Sequence, residues 1–187
     1  MYLIVGLGNP EEEYANTRHN MGFDVINKIS KNYNIEVAKT KFEGLYGKGE
    51  IEGEKVILLK PQTYMNLSGH AVRKFVDFFK IEPENVVVIF DDIDIEKGQI
   101  KIRKLGSGGS HKGMQSVIQM MGTEKIPRIR VGIGSPENKK EMIEYVISKI
   151  KKEEKELLEP GIEKAGEAVK TIIKEGLDKA MNKFNSK

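Results

Sequence analysis

Two short stretches of this sequence carry most of the side chains able to move a proton near neutral pH. The first runs from Gly6-Leu7-Gly8-Asn9-Pro10 through Tyr14 to Thr17-Arg18-His19-Asn20-Met21-Gly22, and the second is Asp91-Asp92-Ile93-Asp94. A carboxylate that accepts one ring N–H of His19 would fix the imidazole tautomer and raise its basicity, leaving the other nitrogen to take a proton from water. That is the core of a hydrolytic site with no protein nucleophile. From spacing alone a second reading stands beside it: His19 caps a helix that begins at Met21, and the aspartates form a solvated turn.

Other chemistries find less support. The chain has no cysteine, which excludes disulfides, a thiolate nucleophile and zinc sites built on Cys. No Gly-x-Ser-x-Gly elbow is present, and Ser107 and Ser110 sit among glycines outside the strand-to-helix setting that elbow needs. Gly6-Leu7-Gly8 after a first strand resembles part of a dinucleotide fingerprint, but position 11 is Glu, and three carboxylates follow Pro10. A nicotinamide-dependent oxidoreductase therefore rests on two glycines. The loop Gly106-Ser107-Gly108-Gly109-Ser110-His111-Lys112-Gly113 opens a helix beside Arg103, Lys104 and Lys112, so its backbone amides are candidates for holding phosphate. Asp91-Asp92-x-Asp94 also has the composition of a divalent-metal cluster, yet extended-chain alternation turns Asp91 away from Asp92 and Asp94. One carboxylate orienting a histidine fits that alternation better than a cage. His70 reads as structural, and His111 as a loop or phosphate contact.

The elements that must position these groups follow from periodicity. Tyr2-Leu3-Ile4-Val5 and Val86-Val87-Val88-Ile89-Phe90 read as buried strands, and as parallel neighbours they would bring His19 and the aspartates to one rim. That carboxyl edge is where open α/β sheets bind ligands. Phe23, Ile26, Ile29 and Tyr33 recur at helical spacing from Met21. A hairpin is expected from Gly44–Ile51 and Lys55–Lys60, then a helix on Val72, Phe75, Val76 and Phe79 capped by Asn66 or Ser68. Further strands are expected at Gln99–Arg103 and Arg128–Ile133, with a helix through Met114, Val117, Ile118 and Met121 between them. Helices at 140–147 and 152–184 close the chain, with Pro160 marking a restart and Leu157, Ile162, Ala165, Val169, Ile172 and Ile173 on the apolar face. Alternating strands and helices predict an α/β fold: a single domain over 1–187 with a mixed, mostly parallel twisted sheet and helices on both faces.

Composition bounds the partners. With 39% apolar and 32% charged residues in 187, the chain can bury one core and offers no apolar tract long enough to span a bilayer. No signal-peptide pattern precedes the first strand, so the cytoplasm is the expected compartment. The net charge of +3 is unevenly spread: from Lys97 to Lys140 ten basic residues face Glu124 and Glu137, a local +8 that leaves −5 elsewhere. A polyanion is the expected partner of that segment, with scattered solubilising charges as the alternative.

Several multi-residue motifs, in order along nearly the whole chain, make it similar to the bacterial peptidyl-tRNA hydrolases. They are Val5-Gly6-Leu7-Gly8-Asn9-Pro10, Tyr14, Thr17-Arg18-His19-Asn20-x-Gly22, Lys60-Pro61-Gln62-Thr63-Tyr64-Met65-Asn66-Leu67-Ser68-Gly69, Asp91-Asp92-Ile93-Asp94 and Arg128-Ile129-Arg130-Val131-Gly132-Ile133-Gly134. The resemblance implies a cytoplasmic, monomeric esterase without cofactor or metal that frees tRNA from a nascent peptide. By motif it makes His19 the base, Asp91 its orienting partner, and Asn9 a reader of the blocked substrate. It assigns Tyr14, Tyr64, Met65 and Asn66 to the substrate, and Arg103, Arg130 and Lys139 to the tRNA body. One departure stands out. Where the family commonly has Gly-Gly-His-Asn-Gly, this chain has Gly109-Ser110-His111-Lys112-Gly113, so Lys112 replaces an Asn that contacts tRNA. A lysine can still hold phosphate as a point charge. A non-catalytic RNA-binding protein on the same fold is the rival reading.

Overall fold

The first strand is apolar without alternation because both of its faces are covered. In the computed structural model, which describes residues 1–185, β1 (Tyr2–Gly6) lies between two parallel neighbours at the middle of one sheet. Helix α1 (Met21–Tyr33) follows it, and then β2 (Lys39–Lys41), β3 (Gly44–Ile51) and β4 (Glu54–Pro61) form an antiparallel meander. The chain continues through α2 (Ser68–Phe79), β5 (Val86–Asp92), β6 (Ile100–Arg103), α3 (Lys112–Met121) and β7 (Arg128–Gly132). Three helices finish it: α4 (Met142–Ile147), α5 (Lys152–Glu175) and α6 (Leu177–Asn185). The last two positions of the unit expected over 1–187 lie outside the described residues.

The strand order is β2-β3-β4-β1-β5-β7-β6, with β4, β1, β5 and β7 parallel and antiparallel strands at both flanks. The register pairs Leu3 with Val86 and Gly6 with Ile89, so the two apolar runs are neighbours and end on one rim. Their alternate residues feed two separate cores. Ile4, Val87 and Ile89 pack with α1 and α5 on one face, while Leu3, Val5, Val88 and Phe90 pack with α2 and α3 on the other.

Close approach of α1 to the sheet explains the early glycines. A Cβ on Gly22 would lie 2.5 Å from the Leu7 amide nitrogen and from the Ile89 carbonyl oxygen, and one on Gly6 would lie 2.2 Å from the Gly22 carbonyl oxygen. These residues are small so that helix and strand can touch, which accounts for Gly6 and Gly22 by packing alone.

Three local expectations are corrected. Pro160 sits inside α5, which runs unbroken to Glu175 and ends at Gly176. The ring removes one helical hydrogen bond at a cost of about 3 kcal/mol. Burial of Leu158, Gly161 and Ile162 beside the missing bond offsets it. Leu157 is 58% exposed, and its neighbour Leu158, at 2%, takes the buried position. Neither Asn66 nor Ser68 caps α2: Leu67 holds the cap position, and the Ser68 hydroxyl donates to the Met65 carbonyl at 2.7 Å.

At the β6 edge, the side chain of Asn185 imitates a strand. Its Oδ1 accepts the Ile102 N–H at 2.7 Å and its Nδ2 donates to the Ile102 carbonyl at 2.8 Å.

Candidate active site

Beyond β1 the chain makes two one-turn 3-10 segments, Glu12–Tyr14 and Arg18–Asn20, before α1 begins. His19 lies in the second and Asp91 near the end of β5, so the shared rim brings them together. The His19 Nδ1 is 3.0 and 3.1 Å from the two carboxylate oxygens of Asp91. Asp91 is 4% exposed, too buried for the solvated turn that was its alternative reading, and His19 makes no cap to α1. Asp91 is the residue on its strand that turns inward. Asp92 turns away to an ion pair with Arg130 at 3.0 Å.

Electrostatics separate the two partners. Burial raises the Asp91 carboxyl, but His19 and His111 outweigh it and hold the group well below the usual carboxylate range. Burial lowers the His19 imidazole, and the charge and hydrogen bond of Asp91 outweigh that too, leaving it above its ordinary value. Asp91 is thus an anion at any working pH, and His19 is a base of strengthened affinity for protons. With Nδ1 committed to Asp91, Nε2 is the nitrogen left for chemistry.

His111 is the site residue that sequence reasoning missed, having taken it for a loop or phosphate contact. It is the N-cap of α3, with Nδ1 accepting the Met114 N–H at 3.2 Å, which puts its proton on Nε2. That Nε2 lies 3.0 Å from Asp91 Oδ1. The two imidazole rings are 5.0 Å apart on one carboxylate. Its place three residues before Met114, at the mouth of the glycine loop, was the available signal for a capping role. These three groups lie close enough to offer ligand atoms to one metal ion, all within 4.8 Å of one another, but each shared hydrogen bond is also accounted for by protons.

Asn9 is fixed by Asn20 and Met65. Its Oδ1 accepts the Met65 N–H at 3.0 Å, and its backbone exchanges two hydrogen bonds with the Asn20 side chain, at 2.8 and 2.9 Å. Fixing the oxygen in this way leaves both N–H donors of the Asn9 amide without a partner among the described residues. Met65 is buried, and its sulfur would meet a Cβ on Gly113 at 2.5 Å, as the His111 ring would at 3.1 Å. Gly113 is therefore the point where the Asn9–Met65 wall touches the His111–Asp91–His19 group. Tyr14 is half-buried, whereas Tyr64, at 63% exposure, and Asn66 are open to solvent.

A cavity of about 480 Å³ adjoins the two histidines. His19, Asp91, His111, Lys112 and Arg130 line it together with the 107–110 backbone, and Met142, Ile143, Val146 and Ile147 of α4 give it an apolar side. Lys112 thereby shares the cavity wall with His19 and Asp91. The loop expected to hold phosphate is held by Arg128, whose guanidinium donates to the carbonyls of Gly106, Ser107, Glu124 and Ile126 at 2.8 to 3.0 Å.

The basic segment is only partly available to a partner. Arg128 is 2% exposed, Lys97 pairs with Glu154, and Lys104 pairs with Asp178. Arg130 stands opposite Lys101 in the ladder, and Arg103 lies two residues further along β6 on the same side. These three form a basic file leading away from the cavity. Lys139 is exposed in the 3-10 turn Lys139–Glu141 just before α4.

Known proteins share the sequence and the fold. The family model described as peptidyl-tRNA hydrolase matches residues 3–187. A peptidyl-tRNA hydrolase of Clostridium novyi (strain NT) is 51% identical over 185 residues, covering 99% of this chain and 98% of the relative. One from Clostridium botulinum (strain Alaska E43 / Type E3) is 52% identical over 185 residues, covering 99% and 96%. The crystal structure of peptidyl-tRNA hydrolase from Acinetobacter baumannii superposes with a TM-score of 0.93 at 37% identity, covering 100% of this chain and 95% of that one. With sequence and fold in agreement over nearly the whole length, the chain belongs to the peptidyl-tRNA hydrolase family.

Proposed function

We propose that this protein cuts the ester joining peptide to tRNA by direct attack of water, with His19 as base and Asp91 as its orienting anion. The observation that carries this reading is the Nδ1 contact of His19 with Asp91, which directs Nε2 to chemistry at the edge of the 480 Å³ cavity. Water gives a proton to Nε2 as its oxygen bonds to the ester carbonyl carbon. The ribose oxygen then leaves with that proton, giving a peptide carboxylic acid and a tRNA with a restored hydroxyl.

A ribose ester is activated relative to an amide, so a general base supplying roughly 10²–10⁴-fold is a fitting main contribution. The Asn9 amide, with its N–H donors free among the described residues, suits the carbonyl oxygen or the first peptide unit and would contribute about 10²–10³-fold at the developing oxyanion. Being neutral, it favours a blocked, peptide-like nitrogen over a charged amine. Tyr14, Tyr64, Met65 and Asn66 extend that wall toward the peptide. Lys112, Arg130, Arg103 and Lys139 receive phosphates, with Lys112 acting as a point charge. On this reading the protein works as one domain and a monomer, in the cytoplasm where tRNA is recycled. No helix among the described residues is long and apolar enough to cross a membrane.

The test is incubation with N-blocked aminoacyl-tRNA in EDTA. Release of the blocked amino acid is expected. Binding without release would support a non-catalytic RNA-binding protein.

A further inference from the structure

Arg18 precedes the base in sequence and has no place in the chemistry described above, yet it is among the most heavily bonded side chains of the molecule. It is 8% exposed. Its Nε and Nη2 form a two-pronged contact with Glu154 in the first turn of α5, at 2.8 and 2.5 Å. Its Nη1 donates to the Tyr145 carbonyl at 2.8 Å and to the Ser148 hydroxyl, both at the end of α4. The face of the guanidinium stacks 4.0 Å from the centre of the Tyr145 ring. Glu154 is held in turn by Lys97 at 3.1 Å, and the Tyr145 hydroxyl donates to the Ile133 carbonyl beyond β7.

We infer that Arg18 is a positioning residue for hydrolysis: it locks the turn carrying His19 onto α4 and α5 and so sets the imidazole against both Asp91 and the apolar wall of the cavity. This rests on the reading of His19 as the base. Three features support it. The 3-10 turn Arg18–Asn20 is a single turn with no side-chain cap, so it has little rigidity of its own. Its neighbours in sequence are tied to the same segment, by the Thr17–Lys149 bridge and by the Ile150 N–H to the Asn16 carbonyl at 2.8 Å. The residues of α4 that line the cavity, Met142, Ile143, Val146 and Ile147, belong to a six-residue helix too short to hold a fixed place alone. A planar guanidinium with five donors can serve a carboxylate, a carbonyl and a hydroxyl in one fixed geometry, which an ammonium cannot.

A purely structural role would give a different result, and the test separates the two. Arg18→Lys keeps the charge and loses the fork, and Glu154→Gln removes the charge from a residue outside the cavity. Each should lower kcat about tenfold in protein that is still fully folded at the assay temperature, with KM changed no more than about twofold. The double variant should lose no more than the worse single one, because both act on one clasp. Phe75→Leu, buried in the opposite core, is the control for lost stability and should leave kcat unchanged. A second readout needs no substrate: the Nδ1 proton resonance of His19, held by Asp91 in the native protein, should broaden or move in both variants. Unchanged kcat with an unchanged His19 resonance overturns the proposal. A risen KM with kcat and the resonance intact also overturns it, since Arg18 would then shape only the wall. If native protein releases nothing from blocked aminoacyl-tRNA, the reading of His19 as base fails, while the resonance still reports whether Arg18 holds the turn.

Discussion

His111 donates its Nε2 proton to the same Asp91 oxygen that lies 3.1 Å from the His19 ring, so one buried carboxylate serves two imidazoles. His19 has no hydrogen-bond partner for its remaining nitrogen among the described residues, and His111 turns its own to the backbone of α3. Only one of the pair is available as a base.

The first expectation concerns that base. His19→Ala should abolish release while tRNA binding survives, a loss of roughly 10²–10⁴-fold. Single-turnover release and a filter-binding titration on the same preparation check it. Full turnover by the variant would sink the mechanism.

The pH dependence follows from the directions of the shifts. His19 works only when neutral, and its affinity for protons is raised, so the ascending limb of kcat should lie above the ordinary imidazole value of 6.5. Asp91→Asn removes the charge and leaves burial acting alone, so the limb should move below that value as kcat falls. Stability carries the opposite sign: the charged His19–Asp91 pair contributes fully below 6.5, and its contribution is lost as pH rises through the raised value. A pH–rate profile with no movement of the limb in Asp91→Asn would contradict the assignment.

Two variants divide the duties of His111. Asn caps helices well but is too short to reach Asp91, so His111→Asn should keep α3 intact and still cost about tenfold in kcat. His111→Ala should lose the same activity and a further ~1 kcal/mol of stability, the usual worth of an N-cap. Denaturant melts set beside kinetics check the division. Equal stability of the two variants would argue that the cap is worth little here.

Asp24 gives a stability prediction away from the site. Burial pushes its carboxyl up to about 6, Lys155 and Lys60 pulling it down and Glu159 pushing it up, and the side chain makes no hydrogen bond among the described residues. An acid with a raised value destabilises the fold where it is ionised, so stability should rise as pH falls through about 6. Asp24→Asn should therefore stabilise at pH ~8 by up to about 3 kcal/mol, with the gain fading toward pH ~4. Thermal melts across that range show it. A gain that did not depend on pH would point to packing instead.

For the exposed basic residues, Arg103→Glu and Lys139→Glu should weaken substrate binding and flatten its salt dependence, by about 0.7–0.9 in log–log slope for each phosphate that is no longer neutralised. Arg130 is a poorer probe because its removal also strands Asp92. Equal slopes before and after would exclude a phosphate role for the two residues.

How much of this was legible in the sequence depends on whether the deciding contact is local. The parallel pairing of the two apolar strands, and with it the meeting of His19 and Asp91, follows from patterning and rim geometry. Helix α1 starts at Met21 as its spacing requires. Leu157 and Leu158 could not be told apart, because adjacent helical residues differ by about 100° and only the packed sheet decides which is buried. Pro160 misled because its local penalty was outweighed by packing against strands far away in sequence. Arg18 and Glu154 are 136 residues apart, a separation at which one sequence gives no pairing signal. His111 failed for a related reason: a histidine in a glycine loop looks mobile until the strand bearing Asp91 passes beneath it.

Asn185 has an effect beyond holding down the last helix. By taking both backbone groups of Ile102, one side-chain amide closes the point at which a foreign strand would dock on β6. At the far edge, β2 is only three residues long and carries two lysines, a second deterrent of a different kind. An enzyme that must release peptides of arbitrary sequence meets extended chains of every composition, and a sheet open at its margins would collect them. Blunted at both ends, this sheet offers such chains little to pair with.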